Sequence, residues 1–280
     1  MQNRISLLAN PSSRFSKPTF AIFSNHKAEL MQRLKNKWAV ITGGTSGIGF
    51  STAKEFLDEG ANVVFTGRQK QTIDEIAKGL GPQAQGIVSD AGKISDIFKL
   101  KNEISNIAPG IDILFINAGY GKFAPVDAVT EETFDELFNV LVKGCFFTVQ
   151  TLLPLMKEES SITINTSVVT RYGSSYASVY SAAKAAVASL VKTFAAEFTS
   201  KKIRVNGISP GYTATEGFSK TGMNEEQIQS VIQSLIPTLP LKRFGKADEI
   251  AKAVSFLASP DASYIHGTEL IVDGGYTVIK

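Results

Sequence analysis

From Trp38 onward the chain alternates short apolar runs with longer amphipathic ones, and this alternation leaves few architectures open to it. The apolar runs are WAVIT at 38–42, ANVVFTG at 61–67, Gln85 to Val88, Asp112 to Ile116, Ser161 to Ser167, Ile203 to Ile208 and Glu269 to Val272. Between them fall helical patterns: one ending near Glu59 and stopped by Gly60, QTIDEIAKGL, Lys93 to Ile107, Glu131 to Met156, Ser175 to Thr199, Asn224 to Leu235 and Ala247 to Leu257. Strands with so few charges are buried on both faces, and strands separated by helices pair in parallel. The expected fold is an α/β parallel sheet covered by helices on both sides.

No linker, repeat or low-complexity break follows residue 37, so residues 33–280 read as one domain behind an extension of 1–32. That extension carries Arg4, Arg14, Lys17 and Lys27 and no acid before Glu29. Such a composition suits an organelle transit peptide. It suits equally a leader outside the core, since Met31 opens a plausible domain start; this second reading, with a cytoplasmic location, is the one adopted. A net charge of +3, dispersed along the chain, gives no footprint for nucleic acid. The single cysteine, Cys145, excludes an internal disulfide, and no Cys/His cluster suggests a metal. No uninterrupted apolar run reaches the ~18 residues of a membrane span.

Two stretches carry chemistry. Gly43, Gly47 and Gly49 lie in the turn after the first strand, where small residues let the backbone approach a ligand. The helix that follows offers free N–H groups and a dipole to a pyrophosphate. Further on, Ser167 ends a strand, and Tyr180 and Lys184 stand four apart at the start of an Ala-rich helix, on one face. A phenol of pKa ~10 needs help to exchange protons near neutrality. Lowering it by about three units takes roughly 4 kcal/mol, and a cation ~4 Å away supplies about that at an effective dielectric of ~20. Taken alone, Tyr-x-x-x-Lys is also a common pattern of a solvated helix face.

Taken together, Thr42-Gly43-x-x-x-Gly47-x-Gly49, Asn117-Ala118-Gly119, Ser167, Tyr180-x-x-x-Lys184, Pro210-Gly211 and Val272-Asp273-Gly274-Gly275 occur in a definite order. Over about residues 36–280 this order resembles the short-chain dehydrogenase/reductase family. The resemblance implies a Rossmann-type doubly wound sheet of about seven strands in the order 3-2-1-4-5-6-7. It implies that Gly43, Thr45, Ser46, Gly47, Ile48 and Gly49 surround the cofactor phosphates and that Asp90 meets the adenine. Asn117, Ala118 and Gly119 would lie by the adenine ribose, and Pro210, Gly211, Thr213 and Thr215 by the nicotinamide. Tyr180 would be the general acid/base, Lys184 would bind the ribose and lower the tyrosine pKa, and Ser167 would orient the substrate oxygen. Asp90 as a helix N-terminal charge and Thr215 as a helix cap remain open. The resemblance further implies a homotetramer, or a homodimer, built through the helices Phe134 to Leu155 and Val179 to Phe198 and the end of the chain; the alternative is that these apolar faces simply cover the sheet.

Cofactor choice is read after the second strand, where a carboxylate would bind a ribose 2′-hydroxyl and repel a 2′-phosphate. Gly67 and Arg68 stand there instead, which favours NADP(H) over NAD(H); Arg68 stacked on adenine as a surface residue is the competing reading. Leu141 departs from the family, occupying the position of an asparagine that supports a helix kink and a proton-relay water. Asn139, two residues away, points about 200° around the helix and does not substitute. The expected activity is reversible hydride transfer between nicotinamide and a ketone or alcohol. Glu216 to Leu239 would act as an apolar lid, with Tyr120, Phe123 and Tyr172 at the entrance. The alternative is a nucleotide-binding redox sensor with little catalysis.

Overall fold

Residues 32–215 and 224–279 are described by the computed structural model of the chain. Seven strands form one parallel sheet: β1 (Trp38–Ile41), β2 (Asn62–Gly67), β3 (Ala84–Val88), β4 (Ile111–Ile116), β5 (Met156–Asn165), β6 (Arg204–Pro210) and β9 (Glu269–Val272). Their spatial order is β3-β2-β1-β4-β5-β6-β9. This is the doubly wound order expected, and β9 is its seventh strand. Two two-residue strands, β7 (Thr213–Ala214) and β8 (Gly245–Lys246), pair only with each other and take the intervening numbers.

Side chains alternate between two cores as the pleat requires. Val40, Val64, Leu114, Ile162 and Val205 point to one face. There they meet α3 (Ile94–Ser105), α5 (Gly144–Leu152) and α6 (Ser178–Phe198). Ile41, Phe65, Phe115 and Ile208 point to the other. They pack on α1 (Gly47–Asp58), α2 (Lys70–Leu80) and α8 (Ala247–Ala258). Phe56, Phe65 and Phe115 are fully buried, and each contributes about 1.5–3 kcal/mol of hydrophobic stabilisation.

The long helix expected from Glu131 to Met156 is broken. It comprises α4 (Glu131–Phe138), a π turn over Asn139–Lys143, then α5, and Met156 already belongs to β5. In the π turn the Gly144 N–H donates to the Asn139 carbonyl five residues back. By composition the stretch Glu131–Leu155 is long and apolar enough to cross a membrane. Its residues Cys145, Val149 and Leu152, however, are buried against the sheet. Helix α6 starts at Ser178 instead of Ser175, because Tyr176 sits in the left-handed region at φ 66° and stops the helix from beginning earlier. Helix α7 (Glu225–Leu235) carries Ile228, Val231, Ile232 and Leu235 only half-buried. Residues 1–31 of the N-terminal extension, and Phe218 and Met223 of the expected lid, lie outside the described residues.

Candidate active site

A cleft opens at the C-terminal ends of β1, β2, β3 and β4. It is lined by Gly43, Thr45, Ser46, Gly47 and Ile48 from the first turn, Arg68 after β2, Asp90 after β3, Asn117, Ala118 and Gly119 after β4, and Thr215. Eleven of the residues picked out from the sequence are thereby brought to one place. At the N-terminus of α1, Ser46 makes no side-chain cap bond and no acid occupies the first turn, so the free N–H groups are left to a ligand.

The turn is closed so tightly that its glycines are obligatory. A Cβ on Gly43 (φ +67°) would stand 2.9 Å from Ala118 Cα, and one on Gly49 would stand 2.2 Å from the Gly43 carbonyl oxygen. Gly49 therefore packs against the turn from behind, and it is not among the residues lining the cleft. Asn117 is also committed to the scaffold. Its amide donates to the Thr42 and Gly43 carbonyls at 3.2 and 3.0 Å, and its oxygen accepts from Asn165 at 3.0 Å. Thr42, given no role from the sequence, is the hub beneath it. Its hydroxyl oxygen accepts from the Asn117 and Ala118 N–H groups at 2.9 and 3.1 Å. Such a backbone cradle, with an uncapped helix end, fits a dinucleotide.

Ser167 has left the strand. It heads a short 3₁₀ turn, where its hydroxyl accepts from the Val169 N–H at 3.3 Å. Its other partner is Tyr180: burial raises the phenol pKa above the usual tyrosine value, and the Ser167 hydrogen bond opposes that. Lys184 is buried, and its ammonium donates to the Asn165 carbonyl at 2.7 Å. It lies 5.9 Å from the Tyr180 ring centroid. Burial is thus the leading influence on the Tyr180 phenol. The lysine is itself pushed down to about 8 by burial, with the neighbouring Cys145 opposing.

Asn165 was missed from the sequence. It lines the cleft, and so links Lys184 to it. Thr66, Ser89, Ala91 and Val140 were missed too; the only available signal was their place at a strand end or helix start. Pro210 and Thr213 are buried behind the cleft. The Thr213 hydroxyl donates to the Gly211 carbonyl at 3.0 Å. This carries the chain to Thr215, which lies against Gly47.

A family model described as enoyl-(acyl carrier protein) reductase matches residues 43–277. An oxidoreductase named asL5 from Sarocladium schorii is 36% identical over 251 residues, 89% of this chain and 99% of that one. The crystal structure of a short-chain dehydrogenase/reductase, glucose/ribitol dehydrogenase, from Brucella melitensis superposes with a TM-score of 0.82 at 31% identity, covering 89% of this chain and 99% of the other. The chain belongs to the short-chain dehydrogenase/reductase family. As a family member it is an oxidoreductase acting on CH–OH/C=O groups. L-Sorbose reductase from Gluconobacter frateurii, solved with NADPH and L-sorbose, superposes with a TM-score of 0.82 at 29% identity, over 89% of this chain and 100% of that one.

Leu141 departs from the asparagine that the family resemblance implies at its position. Leu141 is buried in a satellite cluster with Leu137, Val179 and Ala183, against which Tyr180 packs. Its Cδ2 stands 2.4 Å from where a Cβ on Gly119 would be. The π turn thus forms with leucine, not asparagine, at its centre, position 141. Leu141→Asn buries an amide among apolar side chains and is expected to cost about 1–3 kcal/mol of stability, read from denaturant melts. By restoring a polar group to the proton route it is expected also to raise turnover, and unchanged turnover would place the slow step elsewhere.

Proposed function

We propose that this chain is an NADP(H)-dependent carbonyl reductase and alcohol dehydrogenase with Tyr180 as general acid/base. The observation that carries the cofactor choice is Arg68, which lines the cleft directly after Gly67 with no carboxylate in either position. In this reading Gly43, Thr45, Ser46, Gly47 and Ile48 bind the pyrophosphate, Arg68 the 2′-phosphate and Asp90 the adenine. Asn117, Ala118 and Gly119 border the adenine ribose; Pro210, Gly211, Thr213 and Thr215 border the nicotinamide. When bound, the reduced nicotinamide supplies a hydride. Ser167 donates to the carbonyl oxygen as charge develops there, and the Tyr180 phenol delivers its proton to that oxygen. A hydroxyl beside a phenol suits an oxygen as the reacting atom, which favours a carbonyl over the carbon–carbon double bond that the family model's description names. Lys184 holds the nicotinamide ribose. A cytoplasmic homotetramer belongs to the same reading. It is supported by the exposed rings of Phe98 and Phe146 and by the exposed Val278 and Ile279 at the end of the chain.

Steady-state constants for both nucleotides test it. NADPH is expected to be preferred, and Arg68→Ala to lower kcat/KM for NADPH by about 10–150-fold, the range of a lost charged hydrogen bond. NADH should move by less than about threefold. Preference for NADH in the parent chain, or an equal loss with both nucleotides, would overturn the assignment.

A further inference from the structure

The loop between β4 and α4 is fastened at a single carboxylate. Glu136, in the last turn of α4, accepts the Tyr120 phenol on one oxygen and pairs with the Lys122 ammonium on the other. These partners are 16 and 14 residues away, so the contacts tie down a loop and do not decorate a helix face. Hydrogen bonds from Lys122 and then Tyr120 hold the carboxyl below its usual range, with Lys122 and Arg68 adding attraction at longer reach.

What the loop carries gives the fastening its importance. Tyr120 lines the nucleotide cleft. Phe123, three residues on, stands edge-on to the Tyr180 ring with centroids 5.6 Å apart. The Ala124 N–H donates to the Tyr176 carbonyl at 2.8 Å, joining the loop to the segment that leads into α6. One short loop therefore touches the cleft, the ring of the general acid and the approach to its helix.

We infer that Glu136 is a positioning residue: acting through Tyr120 and Lys122, it holds Phe123 against Tyr180 and so fixes the wall on which the carbonyl substrate is oriented. This rests on the proposed function for its catalytic consequence, but not for the fastening itself. Glu136 touches neither the reacting atoms nor the nucleotide site. Its effect on the carbonyl is expected to pass through Phe123, which a double-mutant cycle can detect, whereas an effect passing through Tyr120, which lines the cleft, would appear in KM for NADPH.

The test uses Glu136→Ala, Glu136→Gln, Phe123→Ala and the Phe123→Ala/Glu136→Ala double variant in the full chain. Hydrogen exchange is read on the peptide covering 119–126. Kinetics are read with NADPH and the carbonyl that a ketone, aldehyde and ketose panel shows to be turned over fastest. In Glu136→Ala the loop peptide is expected to exchange about tenfold faster, and kcat/KM to fall about tenfold through KM for the carbonyl. Glu136→Gln, which keeps a partner for Tyr120, should lie between this variant and the parent. The double variant should be no worse than Phe123→Ala alone, within about twofold. Unchanged exchange in Glu136→Ala, or fully additive losses, would overturn the inference. The exchange measurement needs no turnover. Parental turnover in a Tyr180→Phe control would sink the proposed chemistry and leave the loop result to stand or fall separately.

Discussion

Tyr180→Phe is expected to lower carbonyl reduction by about 10²–10⁴-fold, the usual worth of a positioned general acid, while NADPH still binds. The substitution removes one oxygen and keeps the ring that Phe123 meets edge-on at 5.6 Å. The wall of the site should survive it. Burial raises the phenol pKa and the Ser167 hydrogen bond opposes it. The group therefore stays protonated through neutral pH and is ready to donate. Reduction should hold its rate as pH rises toward the usual tyrosine value of ~10, whereas alcohol oxidation, which needs the phenolate as base, should climb over the same range. Single-turnover reduction, pH profiles in both directions and fluorescence titration of NADPH provide the readouts. Turnover within fivefold of the parent would remove Tyr180 from the chemistry. Tight NADPH binding with no Tyr180-dependent turnover in the parent chain would favour a redox sensor over an enzyme.

The sheet was legible because charge-poor strands separated by helices have few other ways to bury both faces. The glycine turn was legible for a similar reason, since a Cβ on Gly43 would stand only 2.9 Å from Ala118 Cα. The break at Asn139–Lys143 left no trace in the pattern: a π turn shifts one hydrogen bond register while apolar residues continue on either side. Spacing put Tyr180 and Lys184 on one helix face but could not say where a four-carbon stem would place its charge. The Asn165 carbonyl, 2.7 Å from that ammonium, was visible only once β5 had been folded against α6. Glu136 and Tyr120 are in the same position, because a pair 16 residues apart is joined by a loop whose path no periodicity describes.

Lys184→Met is expected to leave a protein that is more stable and nearly inactive. Lys184 is 6% exposed, and its pKa is pushed down to about 8, by burial first and with Cys145 opposing. An unfolded lysine titrates near 10.4. Between pH ~8 and ~10.4 the unfolded chain therefore holds a proton that the folded one has released, so stability rises with pH across that window. Below it the buried charge costs about 3 kcal/mol. Methionine has similar length and no charge, so it relieves that cost and leaves the Asn165 carbonyl one partner short, at about 1 kcal/mol. The carbonyl's residue lines the cleft, where water can reach it. Denaturant melts at pH 7 should show Lys184→Met about 1–2 kcal/mol more stable than the parent. The parent's rise from pH 8 to 10 should be missing from the variant. Turnover should fall at least 10²-fold, since the ribose grip and the charge beside the phenol are lost together. A variant less stable than the parent at pH 7, with an unchanged rise, would mean that the ammonium is well solvated where it lies. If the stability gain is found, Lys184 opposes folding as a buried cation whose ammonium donates to a neutral carbonyl. Stability then offers no reason for a lysine at this position, and the demand for a charge there comes from what the cleft binds and turns over.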